Sequence, residues 1–141
     1  MSPEPSGRGT TVHPALRNAL DVVLADLDAT GVTRPVVREL DWSDVPDQHT
    51  AMLASLDGSA MGVSVTTSDP EAARIADAAD RVQEWVIEEH WRSGAPTDWP
   101  PCPRHPATHP LAASADDRVA RWVCPLDGGP VAVVGRLAQV R

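Results

Sequence analysis

Residues 99–130 read WPPCPRHPATHPLAASADDRVARWVCPLDGGP, and this stretch departs from the rest of the chain. It holds both cysteines, Cys102 and Cys124, and two of the five histidines, His105 and His109. Each cysteine is followed by proline and opens a short unit closed by a second metal-ligating residue: CPRH from Cys102 to His105, and CPLD from Cys124 to Asp127. That is the layout of two turns facing one ion. It predicts that residues 95–141 form a small metal-stapled module.

A structural zinc ion takes four nitrogen or sulfur ligands in a tetrahedron, and a Cys-x2-ligand turn supplies two of them. Cys102, His105, His109, Cys124 and Asp127 compete for the four places. A Cys2His2 set needs a helical turn between His105 and His109, which Pro106 can begin. Using both units in full would instead take Cys102, His105, Cys124 and Asp127. The first set is preferred, because a structural site favours imidazole over carboxylate, and Asp127 is held as the alternative fourth ligand. Proline after each cysteine stiffens the turn, and Gly128-Gly129 would let backbone N–H groups approach the second thiolate.

The two Cys-Pro-x-ligand units, with Trp122 two residues before the second cysteine and Gly128-Gly129 after it, resemble the zinc-ribbon group of metal modules. The resemblance covers residues 99–137. It departs from a full ribbon at His105 and Asp127, where ribbons carry cysteine. It implies a bound Zn2+ that stabilises structure or mediates contacts with other macromolecules, and only in some cases serves an enzyme.

The preceding residues predict an α+β body over 13–94. Leu16, Leu20, Val23, Leu24 and Leu27 recur at helical spacing after Pro14, with Asp26 outside their face, and Gly31 suits a stop. Val36 to Trp42 reads as a strand with Val36, Leu40 and Trp42 on one face. Ser43 to Gln48 reads as a loop. Thr50 to Leu56 and Ala60 to Thr67 flank Asp57-Gly58 as a hairpin, which completes a three-stranded antiparallel sheet. Ser68 and Glu71 fit a capping box, and Asp69-Pro70 offers an equally good start one residue later, for a long helix from Glu71 to Arg92 with Ile75, Ala79, Val82, Trp85 and Val86 inward. Charged pairs of Asp77 with Arg81, and of Glu84, Glu88 and Arg92, would line its solvated face. A proline-dense loop then leads to a terminal hairpin, Arg118 to Cys124 and Val131 to Leu137, with Gly135 marking a bulge or close contact. Residues 1–12 are small and polar, and read as a disordered arm.

The chain has 141 residues, no Phe, Tyr or Lys, twelve Arg and a net charge of −8. Its arginine and alanine bias fits a GC-rich bacterial genome. Residues 1–91 carry a net −10 and residues 92–141 a net +2. That balance disfavours nucleic acid or anionic membrane as a partner, although Arg104, Arg118, Arg121 and Arg136 are the groups that would meet RNA. No apolar run is long enough to span a membrane. Two cysteines beside histidines, with no leader-like N-terminus, suggest a reducing cytoplasm.

Outside the Cys/His stretch there is no recognisable nucleophile–base pair or phosphate loop. The expectation is a non-enzymatic protein with a structural zinc site, acting through a protein partner or self-association. The alternative is a metal-dependent hydrolase in which Cys102, His105 and Cys124 leave one zinc position open for water.

Overall fold

The computed structural model describes residues 12–39 and 43–139. The fold is mixed α+β, with two long helices and two three-stranded antiparallel sheets. Helix α1 spans Pro14–Ala29. Strands β1 (Val36–Glu39), β2 (Gln48–Ala54) and β3 (Ala60–Thr66) form the first sheet in that order. Helix α2, Glu71–Ser93, follows. Strands β4 (Ala112–Ala115), β5 (Ala120–Val123) and β6 (Pro130–Val133) form the second sheet, and a 3₁₀ turn over Leu137–Gln139 closes the described chain.

The apolar spacing in α1 places its side chains as expected. Leu16, Leu20, Val23, Leu24 and Leu27 are all buried. Pro14 occupies the first turn, where its missing N–H is no loss, and His13 caps the helix by accepting the Ala15 N–H on Nδ1. Two expectations are corrected here. Val12 is buried in the core rather than part of a polar arm, and Asp26 is buried rather than solvated. Residues 1–11 of that expected arm lie outside the described residues.

In the first sheet, Ala51, Leu53, Val63 and Val65 turn toward the helices. Strand β1 corrects its expected face: Val36 is half exposed, whereas Val37 and Glu39 oppose Leu53 and Ala51 on the covered side. The shared face expected of Leu40 and Trp42 falls outside the described residues. The loop expected over Ser43 to Gln48 is shorter, because Gln48 already pairs with Thr66.

Helix α2 buries Ala79, Val82, Trp85 and Val86. The expected capping box does not form. Pro70 is the N-cap residue, and no side chain bonds there. Arg81 pairs with Glu84, and Arg92 with Glu89, so the charged pairs lie at i+3 rather than at the expected i+4 spacing. Such exposed pairs contribute ~0.5 kcal/mol or less each. Among the described residues, no helix is long and apolar enough to cross a membrane.

The terminal hairpin is part of a three-stranded sheet. Strand β4 was not expected, since its sequence AASA carries no apolar alternation, yet it pairs along β5 from Ala112↔Val123 to Ala115↔Ala120. The bulge lies at Trp122/Val123 rather than at Gly135. Gly135 is instead the close contact. At φ 95, a Cβ there would lie 2.8 Å from Val22 Cγ1 and 3.1 Å from the Val22 carbonyl oxygen.

One buried cluster joins α1, α2, the first sheet, Trp99, Leu111, Trp122 and both cysteines. Trp99 and Trp122 meet edge-to-face at 5.7 Å between ring centres. In a chain without Phe or Tyr, these indoles supply bulk where the C-terminal region packs on α1, Trp122 bonding Asp26 and Trp99 bonding Thr30.

Candidate metal centre

Three turns build the centre. In the first, His105 N–H donates to the Cys102 carbonyl at 3.2 Å, with Pro103 and Arg104 at its tip. A second turn follows at once: Thr108 N–H donates to the His105 carbonyl at 3.3 Å. Pro106 and Ala107 are its central residues, and Ala107 has φ 60, as the third position of a type II turn requires. This replaces the helical turn expected between the two histidines, but it still returns His109 to His105. The loop is closed behind them by a bridge between Pro101 and Pro110 and by the Leu111 N–H donating to the Pro100 carbonyl at 2.7 Å. Cys124 comes from the end of β5, where its N–H bonds the Gly129 carbonyl at 2.9 Å and its carbonyl accepts the Gly128 N–H at 2.7 Å.

These turns bring Cys102, His105, His109 and Cys124 together, with one ligand atom from each within 4.8 Å of every other. The cysteines are fully buried and the histidines half-buried. His105 Nδ1 lies 3.6 Å from Cys102 Sγ, 3.5 Å from Cys124 Sγ and 3.2 Å from His109 Nε2. His109 Nε2 is 3.8 Å from Cys124 Sγ. A tetrahedron with zinc-like bond lengths has S···N edges of about 3.6 Å and an N···N edge of about 3.3 Å. The four spacings above match four of the six edges of such a polyhedron.

Hydrogen bonding alone does not account for this packing. An imidazole nitrogen carries either one lone pair or one N–H, so His105 Nδ1 can serve only one of its three neighbours. A cation at the centre would satisfy all of them. The tautomer of His109 also suits ligation. Its Nδ1 lies 2.8 Å from the Pro110 carbonyl oxygen, which only accepts, so the proton sits on Nδ1 and the Nε2 lone pair faces the cluster.

Asp127, the alternative fourth ligand, lies outside the group and does other work. Its Oδ1 accepts the Gly129 N–H at 2.7 Å, and Arg104 Nη1 donates to its two oxygens at 3.1 and 3.3 Å. The Gly129 N–H, reinforced by Arg104 and the Cys124 thiol, holds the Asp127 carboxyl below its ordinary pKa. Gly128 and Gly129 therefore spend their N–H groups on the Cys124 carbonyl and on Asp127, not on the thiolate as expected.

Arg104 is a positioning residue that the sequence did not single out for this site. It reaches from the first turn to Asp127 and, at 3.1 Å, to the Pro130 carbonyl at the start of β6. Gly129 permits this approach, because a Cβ there would sit 2.4 Å from Arg104 Nη1.

Two buried polar residues anchor the centre to the helices. Gln83 Nε2 donates to the Trp99 and Leu111 carbonyls at 3.2 and 2.5 Å, gripping both ends of the proline-dense loop. Asp26 accepts from Trp122 Nε1 at 2.8 Å, Gly135 N–H at 2.7 Å and Leu137 N–H at 2.9 Å. Burial nonetheless raises the Asp26 carboxyl above its ordinary pKa. The only sequence signal for either was a polar residue beside an apolar helical stripe. No protein family, curated protein or solved structure matches the chain.

Proposed function

We propose that Cys102, His105, His109 and Cys124 hold a zinc ion as a structural centre in a non-enzymatic protein. The single observation that carries this reading is the convergence of His105 Nδ1 on both sulfurs and on His109 Nε2. Two thiolates and two imidazoles suit zinc among the common divalent ions. Bound there, the ion would supply cross-linking between two loops whose own apolar content is small. The zinc-ribbon likeness of residues 99–137 agrees with this role.

The donor set also argues against the hydrolase alternative. That chemistry needs three protein ligands and an open position for water. Here the Nε2 of His109 provides a fourth protein donor, and Asp127, the other residue suited to act as a base, is engaged by Arg104 and Gly129. Association with a protein partner in the cytoplasm is part of the same proposal. Support comes from large apolar side chains left in water, Leu56 (96 % exposed) and Trp91 (75 % exposed).

Elemental analysis of protein purified without chelator tests the site. One equivalent of zinc is expected in the wild type and much less in Cys102→Ser and Cys124→Ser. Cobalt substitution should give intense visible bands of a tetrahedral ion with thiolate charge transfer. A metal-free wild type, or a cobalt spectrum of higher coordination with exchangeable water, would overturn the closed structural reading.

A further inference from the structure

The two sulfurs of the metal centre are themselves neighbours. Cys102 Sγ and Cys124 Sγ lie within 4.8 Å of each other, and both cysteines are free thiols. We propose that this pair is a redox switch: a hydroperoxide joins Cys102 to Cys124 as a disulfide and thereby expels the zinc ion. This regulation rests on the zinc reading above.

The geometry permits the exchange without unfolding. A disulfide bond is about 2.05 Å long, so closure shared equally moves each sulfur by no more than about 1.4 Å. The segments that carry the sulfurs are also held face to face by bonds that do not involve the ion. Arg104, beside Cys102, grips Asp127 and the Pro130 carbonyl oxygen on the Cys124 side. The Pro101–Pro110 bridge and the Leu111 N–H on the Pro100 carbonyl close the Cys102 loop from behind. Trp122 anchors β5 to Asp26. A sulfur cross-link can therefore take the place of a zinc cross-link in one frame.

Burial selects the oxidant. Cys102 and Cys124 keep 1 % and 0 % of their surface in water. Exchange with a bulky disulfide needs access for the partner in line with its S–S bond, which such sulfurs lack. A hydroperoxide makes no such demand. Cys102, but not Cys124, forms part of the wall of a cleft of about 340 Å³, together with Pro100, Pro103, Pro106 and Leu111. Hydrogen peroxide, little larger than water, fits this cleft and meets Cys102 first.

Atoms and electrons balance in two steps. A zinc-bound cysteine is already a thiolate, the form that attacks peroxide. Cys102 Sγ bonds one peroxide oxygen, the O–O bond breaks, hydroxide departs, and Cys102 becomes a sulfenic acid. Cys124 Sγ then attacks that sulfur, forming the S–S bond and displacing a second hydroxide. Two electrons pass from the sulfurs to the peroxide, and solvent protons convert both hydroxides to water. Only His105 and His109 remain, two of the four ligands that a structural zinc ion requires.

Treatment of the zinc-loaded wild type with hydrogen peroxide tests the switch, with released zinc read by a chromophoric chelator and the cysteines by mass spectrometry after alkylation. The expected result is one zinc released per Cys102–Cys124 disulfide formed, and full rebinding of zinc after reduction. Oxidised glutathione should act at least about tenfold more slowly. Dimedone present during the reaction should label Cys102 rather than Cys124. Arg104→Ala, loaded with zinc beforehand, should form less of the disulfide and more sulfinic acid at Cys102, because the Cys124 side is no longer held against it. Zinc release without the disulfide, a disulfide between two chains, or dimedone on Cys124 would overturn the proposal. Metal-free protein at the outset overturns the zinc reading as well, whereas a zinc protein whose thiols resist peroxide overturns the switch alone.

Discussion

The indole N–H of Trp122 donates to the carboxylate of Asp26 at 2.8 Å, joining residues 96 positions apart in sequence. Asp26 lies on the buried side of α1, and Trp122 lies two residues before a cysteine of the metal centre. Gly135 and Leu137 N–H groups complete the coordination of the same carboxylate. Helix α1 and the Cys/His tail are thereby tied through one buried acid.

Replacing that acid should be costly. Asp26→Ala leaves one buried and two part-buried donors without their acceptor, and a loss of roughly 3 kcal/mol is expected. Asp26→Asn keeps the shape and should lose less. The sign with pH follows from burial, which raises the carboxyl's folded pKa. A raised acid favours the protonated folded state, so ionising Asp26 lowers stability as pH rises from its unfolded value through the folded one. Urea unfolding of wild type and Asp26→Asn across pH 3.5–7 should show the wild type losing ground to the variant over that window. Parallel profiles would refute it.

His109 and Asp127 should respond oppositely to mutation. His109→Ala is expected to lose bound metal outright, whereas Asp127→Asn retains one equivalent. Asp127→Ala frees Arg104 and should weaken metal affinity by about tenfold, as outer-sphere changes do. Competition with a chromophoric chelator measures all three. Retention of full affinity by His109→Ala, with loss in Asp127→Asn, would exchange their roles.

Gly135→Ala should destabilise by about 1–3 kcal/mol. The added methyl meets Val22 Cγ1 at 2.8 Å while the backbone stands at φ 95. Asp26 lies beside this contact, since its Oδ2 accepts the Gly135 N–H, so the shift should also weaken that bond. Thermal unfolding monitored by circular dichroism reads the effect. A variant as stable as the wild type would show that the contact relaxes freely.

His13 supplies the acid-side pH dependence at the start of α1. Its ring stacks on His49 at 3.6 Å, and its Nδ1 accepts the Ala15 N–H, which requires the neutral form. Burial, with a smaller contribution from His49, lowers its pKa. A histidine depressed on folding binds fewer protons in the native state, so this part of the stability is lost as pH falls through the unfolded value near ~6.5. His13→Asn caps the helix without titrating. The melting-temperature difference between wild type and His13→Asn should shift toward the variant between pH 7.5 and pH 5. A constant difference would exclude His13 as the source. Metal-ligand titration is common to both proteins and cancels.

Much of the fold follows from local rules that sequence carries openly. The 3–4 spacing in α1 and α2, the alternation of Met61, Val63 and Val65, and the Cys102-Pro103 turn each arise within a few residues. The same is true of the Cys/His set, because Cys102, His105 and His109 are joined by consecutive tight turns. Strand β4 was not legible, since Ala112 to Ala115 gain their order from pairing with β5 and not from any pattern of their own. The burial of Asp26 was equally hidden, because its partners arrive from the far end of the chain.

Sequence by itself determined which residues are candidates for a metal and which faces of the helices are apolar, since both depend on spacing along the backbone. Only the tertiary structure placed His109, and not Asp127, beside both cysteines and His105. The chemistry of CPLD suits a ligand as well as a latch, and the deciding partners, Arg104 and the Gly129 N–H, engage that carboxylate only once the two turns face each other.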